Sequence, residues 1–314
     1  MRIVLVAALV TLSAVSLMVG VRSISLAQID ALWVETMIIS RLPRLLSILI
    51  TGASIATCGL IMQSITQNKF VSPTTAGTNE WCKLGALIAM LFMGQAPALV
   101  KMAFAFVLAM AGTFLFTKII SRMRVKNVIL VPLIGMMLGS VVSALTTFIA
   151  YRFDLVQNIT SWMQGNFALI VKGRYELLYL GIPALVIAYI YADRFTIAGM
   201  GKGFATNLGL NHGRIMTIGL AIVAFISSLV TVTIGAIPFL GLIIPNIVSL
   251  YRGDNLKSSL PETALLGAVF VLACDILSRI IIYPYEISIS VTVSVIGSAI
   301  LLALILRRRH GYNQ

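Results

Sequence analysis

Charge is what this chain has least of. Only 11% of its 314 residues are Asp, Glu, Lys or Arg, and just 10 of those are acidic. A soluble domain carries roughly a quarter charged residues. With 59% hydrophobic residues and a mean hydropathy of +1.02, the polar surface is too small to cover a globule in water. The solvent is therefore a bilayer. Cysteine is also scarce. Cys58, Cys82 and Cys274 lie far apart, in or beside apolar runs, so no metal spacing is visible and small membrane-buried thiols are expected. The two histidines, His212 and His310, are too isolated to form a metal or catalytic site. Nothing supports an intramembrane enzyme: there is no His-Glu-x-x-His, no paired buried carboxylates, and no nucleophile beside a base.

What the chain does have is apolar runs of spanning length, repeated from end to end. About 20 apolar residues cross one hydrocarbon core. Runs at 3–21, 45–65, 82–96, 101–120, 128–150, 175–193, 213–234, 237–251, 262–282 and 288–306 predict an all-α, polytopic protein of ten crossings. No soluble domain and no long polar linker interrupts them, so residues 1–314 read as a single transmembrane unit. The first run resembles a signal peptide in its Arg2 and apolar stretch. It lacks a small-residue cleavage site and reads as the first transmembrane helix. Two runs are interrupted: Gly85, Gly94 and Pro97 mark the third, and Pro238, Gly241 and Pro245 mark the eighth.

The net charge of +13 would suggest nucleic acid on a soluble protein. Here topology accounts for most of it. With the N-terminus in the cytoplasm, fifteen of the 23 basic residues fall on the cytoplasmic side and eight outside, which fits the positive-inside bias. Both termini are then cytoplasmic.

Some basic residues stay outside against this trend. Arg41-Leu42-Pro43-Arg44 stands at the mouth of the second run, and Arg279 follows Asp275 by four residues. Two readings are open: interfacial anchors that snorkel to headgroups, or a site for something acidic outside the chain. Asp275 and Arg279 share one helix face and are expected to pair. An aspartate inside an apolar run is otherwise a functional suspect by default.

The inner loop of residues 194–214 is rich in glycine but lacks the spacing of a phosphate loop. A short helix from about Phe204 to Leu208 is expected, with Gly209 as its C-terminal cap and with Ala205 and Leu208 on one face. Such a face suits a groove on a partner protein; an ordinary connecting loop is the alternative. Gly135-Met136-Met137-Leu138-Gly139 is a small-xxx-small pattern that allows close helix packing.

Taken together, these segments resemble the permease subunits of FecCD-type (type II) ABC importers for ferric siderophores, haem and cobalamin. The motifs are the RLPR entry, GLIMQ…NKFVSPTTAGT, ATNLGLN, GAIPFLGLIIPN, LPETALLGAVF and DILSR…PYE, and their order covers nearly the whole chain. The wording of NKFVSPTTAGT is most similar to permeases for petrobactin-like or catecholate siderophores. The resemblance implies a type II permease fold and a pair of permeases, identical or paralogous, with the pathway between them. It also implies two ATP-binding subunits below and a substrate-binding lipoprotein outside. Arg41, Arg44 and Arg279 match the residues that receive the binding protein's acidic groups. Ala205, Leu208 and Gly209 match the coupling helix within the loop at about 195–213. The inner end of the fifth run, Lys126, Asn127, Val128 and Ile129, is a candidate cytoplasmic gate. No cofactor or metal is expected on this chain; ATP and magnesium belong to the partner ATPase.

The chain departs from the family's usual pattern at Pro238, where Gly is common, and at Asn246, where His is common. It also departs at Ile287-Ser288-Ile289-Ser290, which replaces a Pro-x-Gly. Haem or cobalamin cargo is the nearest alternative. An ion-coupled secondary transporter is more remote, since Asp275 is the only carboxylate well inside an apolar run.

Overall fold

The computed structural model of the protein describes residues 2–20, 31–94, 97–122 and 130–310. Helices make up most of these residues, and the only extended pairing among them is an isolated bridge between Gln164 and Ala236. In chain order the helices are α1 (Arg2–Met18), α2 (Ala31–Thr36), α3 (Leu42–Ile65), α4 (Thr78–Phe92), α5 (Ala98–Arg122), α6 (Leu130–Arg152) and α7 (Val156–Met163). They continue with α8 (Gly181–Ile190), α9 (Ala192–Gly199), α10 (Lys202–Asn207), α11 (His212–Thr233), α12 (Leu240–Arg252), α13 (Leu256–Ile280) and α14 (Ile289–His310).

Each of the ten apolar runs has become a helix or a pair of helices, but not all are full-length. Five segments are long and apolar enough to cross alone: Val34–Ile65, Leu99–Phe116, Leu133–Arg152, His212–Thr233 and Leu256–Ile280. The sixth run is not one straight helix. The helical stretch Glu176–Ile190 bends by 58° at Tyr191 into α9, Ala192–Gly199. α1, α12 and the apolar part of α14 are shorter, and α4 carries Glu80 and Lys83 within its 15 residues.

α3 is the axis. Glycines let its backbone touch its neighbours directly. A Cβ on Gly52 would lie 2.6 Å from the Gly267 carbonyl oxygen of α13, and one on Gly59 would lie 1.8 Å from that of Gly241 on α12. Side chains at these positions would push the helices apart. The small-xxx-small pattern of α6 is used within the chain: Gly135 and Gly139 lie against Gly77 at the start of α4. The rest of α6 turns Leu133, Met137, Val141 and Phe148 outward.

The eighth run is broken before α12, not within it. Gly235 takes a φ of +101°, and a Cβ there would lie 2.8 Å from the Gln164–Gly165 peptide. Irregular backbone at membrane depth must find its hydrogen bonds in protein. It does so here: Ala236 N donates to Met163 O at 2.9 Å, Asn166 N to Ile234 O at 3.0 Å, and Ser290 Oγ to Ala236 O at 2.6 Å. Pro245 was expected to break this segment too, yet α12 continues through it. Next to the missing N–H, the Leu242 carbonyl accepts from the amides of Gln63 at 3.1 Å and Asn246 at 2.7 Å, which ties the turn to α3.

α1 and α13 run in the same direction, and α3 runs against both. At one end of the molecule Arg2 donates to Glu262 Oε1 at 3.1 Å. At the other end Arg44, at the start of α3, meets Asp275, near the finish of α13.

Candidate functional site

Four segments distant in sequence converge at the Arg44 end. Pro43 follows a π-helical turn, Met37–Arg41, through which the helix runs on into α3; the Ile39 carbonyl, four residues before the proline, accepts instead from Lys172 N at 3.0 Å. Arg44 follows the proline and reaches two carboxylates. Nη2 donates to Asp275 Oδ1 at 2.8 Å, and Nη1 donates to Glu286 Oε2 at 2.8 Å. Asp275 also accepts from Arg279 Nε through Oδ2, at 2.8 Å. Arg279 spends its remaining donors on the end of α1: Ser16 O at 3.0 Å, Val19 O at 2.9 Å and Ser16 Oγ at 2.9 Å. Arg41 donates to the carbonyls of Leu17 and Met18. The last carbonyls of a helix have no partner within it and carry partial negative charge, so guanidinium groups suit them.

The three arginines expected to face outward thus point largely inward. Arg41 is 8% exposed and Arg279 6%. The anticipated Asp275–Arg279 pair forms, but Asp275 serves Arg44 as well. Three positive groups are held by two carboxylates and one helix end. Arg44 and Glu286 lie nearest the edge of the cluster, with side chains 12% and 20% exposed. Sequence reasoning missed Glu286 and Ser16. A signal existed for the first: Asp275 and Glu286 are the only acidic residues after Glu262.

At the opposite end α10 begins two residues earlier and ends one residue earlier than expected, at Asn207, with Gly209 in the expected left-handed conformation after it. Gly209 adopts a φ of +74°; its N–H donates to Thr206 O at 2.9 Å, and Leu210 N donates to Ala205 O at 2.9 Å. This is a helix C-terminus closed by a left-handed glycine. The expected shared face of Ala205 and Leu208 is corrected. Ala205 is fully buried where α10 meets α9 and α11. The outward residues are Met200, Phe204 and Leu208, the last two about half exposed. Behind them α9 is tied to the start of α13: Lys257 Nζ donates to Asp193 Oδ2 at 2.6 Å, and Leu256 N to Thr196 Oγ1 at 3.1 Å.

The candidate gate at Lys126, Asn127, Val128 and Ile129 lies outside the described residues. Among the described residues no three His, Cys, Asp or Glu side chains come together as metal ligands, and the three cysteines are free and buried. No nucleophile stands beside a base in either polar cluster. Both arrangements are suited to gripping other molecules and to holding helices in place.

The comparisons with known proteins agree with this picture. Residues 3–307 match the model of the FecCD transport family. The chain is 59% identical to the petrobactin import system permease protein YclN of Bacillus subtilis, over 96% of each chain. It is 38% identical to the ferric-anguibactin transport system permease protein FatD of Vibrio anguillarum, over 96% of this chain and 98% of that one. Among solved structures, a metal-chelate type ABC transporter in an inward-facing conformation superposes with a TM-score of 0.88. It has 25% identity and covers 96% of this chain and 97% of its own. The chain belongs to the FecCD transport family and is a permease, the transport component of an ABC importer and not an enzyme.

Proposed function

We propose that this permease moves a ferric siderophore of the petrobactin type across the cytoplasmic membrane, driven by ATP that partner subunits hydrolyse. The observation that carries the reading is α10: a short capped helix with a buried root and exposed Phe204 and Leu208, standing where the basic loops collect. Its size suits a groove on an ATP-binding subunit. The cargo rests on the high identity to petrobactin and anguibactin permeases.

In this reading both termini and α10 are cytoplasmic, and the Arg44 end faces out. The assembly contains a second permease, identical or paralogous, two ATP-binding subunits that use ATP and magnesium, and an extracellular binding lipoprotein. Arg44 is the docking arginine. Its ion pair with the more exposed Glu286 is the one an acidic group of the binding protein exchanges with, while Arg41 and Arg279 hold the helix ends in register. Charge-assisted contacts of this kind set orientation and on-rate.

The test is uptake into proteoliposomes that hold the complete assembly. Ferric catecholate loaded on the binding protein should enter only with ATP, and vanadate should stop it. Uptake that survives vanadate but collapses with an uncoupler would replace this reading with an ion-driven one. For docking, Arg44→Gln should weaken binding-protein affinity by about tenfold while the subunits still co-purify; unchanged affinity removes Arg44 from the interface.

A further inference from the structure

The joint between α9 and α10 is held by one helix that also reaches the opposite end of the molecule. α9 finishes at Gly199, and only Met200 and Gly201 separate it from α10. The last carbonyls of α9 need partners from outside the helix. The Gly199 carbonyl finds one just past the end of α3, where Gln67 Nε2 donates to it at 2.7 Å, and Ser64 Oγ on α3 adds a second contact, to Phe195 O at 3.3 Å. The fit is close, since a Cβ on Gly199 would lie 2.7 Å from Ser64 Oγ. Gln67 reaches its partner from a backbone φ of +48°, a conformation a glutamine seldom adopts and one that the surrounding structure must impose.

Beside this tether lies a cavity of about 600 Å³, lined by Gln63, Gln67, Lys69, Met200 and Asp254 among others. Gln63 is 3% exposed, and its side-chain oxygen has no hydrogen-bond partner among the described residues. The joint therefore has two polar anchors, Ser64 in the last turn of α3 and Gln67 two residues beyond it, space to move into, and an idle buried acceptor that would meet an incoming N–H. At 1.5 Å per residue, α3 spans roughly 32 Å from Arg44 to Ile65, two residues short of Gln67. The direct backbone contacts of Gly52 and Gly59 leave it no room to slide independently of α13 and α12.

We propose that Gln67, supported by Ser64, is a positioning residue of the transport cycle. It fixes the α9–α10 joint to α3, so that docking at the Arg44 end is felt at α10. The inference rests on the reading of α10 as the contact for the ATP-binding subunit.

The experiment uses the complete assembly in lipid and measures ATP hydrolysis with and without loaded binding protein. Gln67→Glu keeps the size but cannot donate at neutral pH. Gln67→Asn tolerates the backbone conformation but is too short. Each should lower the ratio of stimulated to basal hydrolysis by about fivefold, the scale of one lost hydrogen bond. Gln67→Lys, which retains a donor of sufficient length, should restore most of the ratio. Assembly and the melting midpoint should stay at wild-type values throughout. A wild-type ratio in Gln67→Glu overturns the inference, as does a ratio that falls only in step with the melting midpoint. Leu208→Asp separates the two claims through co-purification of the ATP-binding subunit. Retention at wild-type level overturns the reading of α10. Loss of the subunit, together with an unaffected Gln67→Glu ratio, overturns this inference alone.

Discussion

The two ends of the molecule are both held by ion pairs, but they are built differently. At the Arg44 end, Asp275 is 1% exposed and is shared by Arg44, which also pairs with Glu286, and Arg279, whose other donors cap α1. At the Arg2 end one carboxylate is buried too: Glu262 is shared by Arg2 and Arg252, but these arginines are 52% and 42% exposed, and the remaining pairs lie on the surface. Lys257 and Asp193 are each 54% exposed, and Asp254 is 75% exposed beside Lys69. Buried pairs are costly to break because they leave an uncompensated charge. Exposed pairs contribute little and yield to salt. The Arg44 end is thus fastened throughout, whereas at the Arg2 end the buried Glu262 is surrounded by surface pairs that can exchange. In the orientation proposed above, that is the end an ATP-binding partner would move.

The comparison can be broken most directly at Asp275. Asp275→Ala leaves Arg44 and Arg279 without a shared counter-charge and should destabilise the fold by about 3–5 kcal/mol, read as a lower melting midpoint and poor recovery in detergent. Wild-type melting would mean that the outer cluster is not a fastening. Gly59→Ala tests the axis between the ends. Its methyl meets the Gly241 carbonyl oxygen, and the expected loss is about 1–3 kcal/mol from overpacking. Gly203→Ala on α10, where nothing lies within 4 Å, should cost nothing measurable by the same assay. A smaller effect is expected from salt. Raising ionic strength should speed hydrogen exchange in α9 and α10 and leave the end of α13 unchanged. The smallest belongs to Asp193→Ala: its partner Lys257 is solvated, so the melting midpoint should not move.

Much of the architecture is legible along the sequence because the bilayer makes helix formation almost a matter of counting apolar residues. The run at 262–282 and the glycine that closes α10 are local facts, and both appear in the structure. What was not legible depends on long-range contact. Arg279 looked like an outward arginine because nothing near it in sequence shows that the end of α1 turns three acceptors toward it. Pro245 looked like a break because its neighbours Gln63 and Lys69, which tie down Leu242 and Asn246, lie more than 170 residues away. Ala205 and Leu208 share a helical spacing, but only tertiary packing decides which of them is covered. In the polar clusters, residue identity suggested charge chemistry at both ends. Direction, inward or outward, came only with the fold.

The sealed thiols have a practical consequence. Cys58 and Cys82 are fully buried and Cys274 is 1% exposed. A folded thiol without access to water reacts slowly with maleimide or nitroxide reagents. Fluorophores or spin labels can therefore be attached to single cysteines introduced at solvent-facing sites without first removing the native ones. The chain is ready for distance measurements between its two ends during turnover.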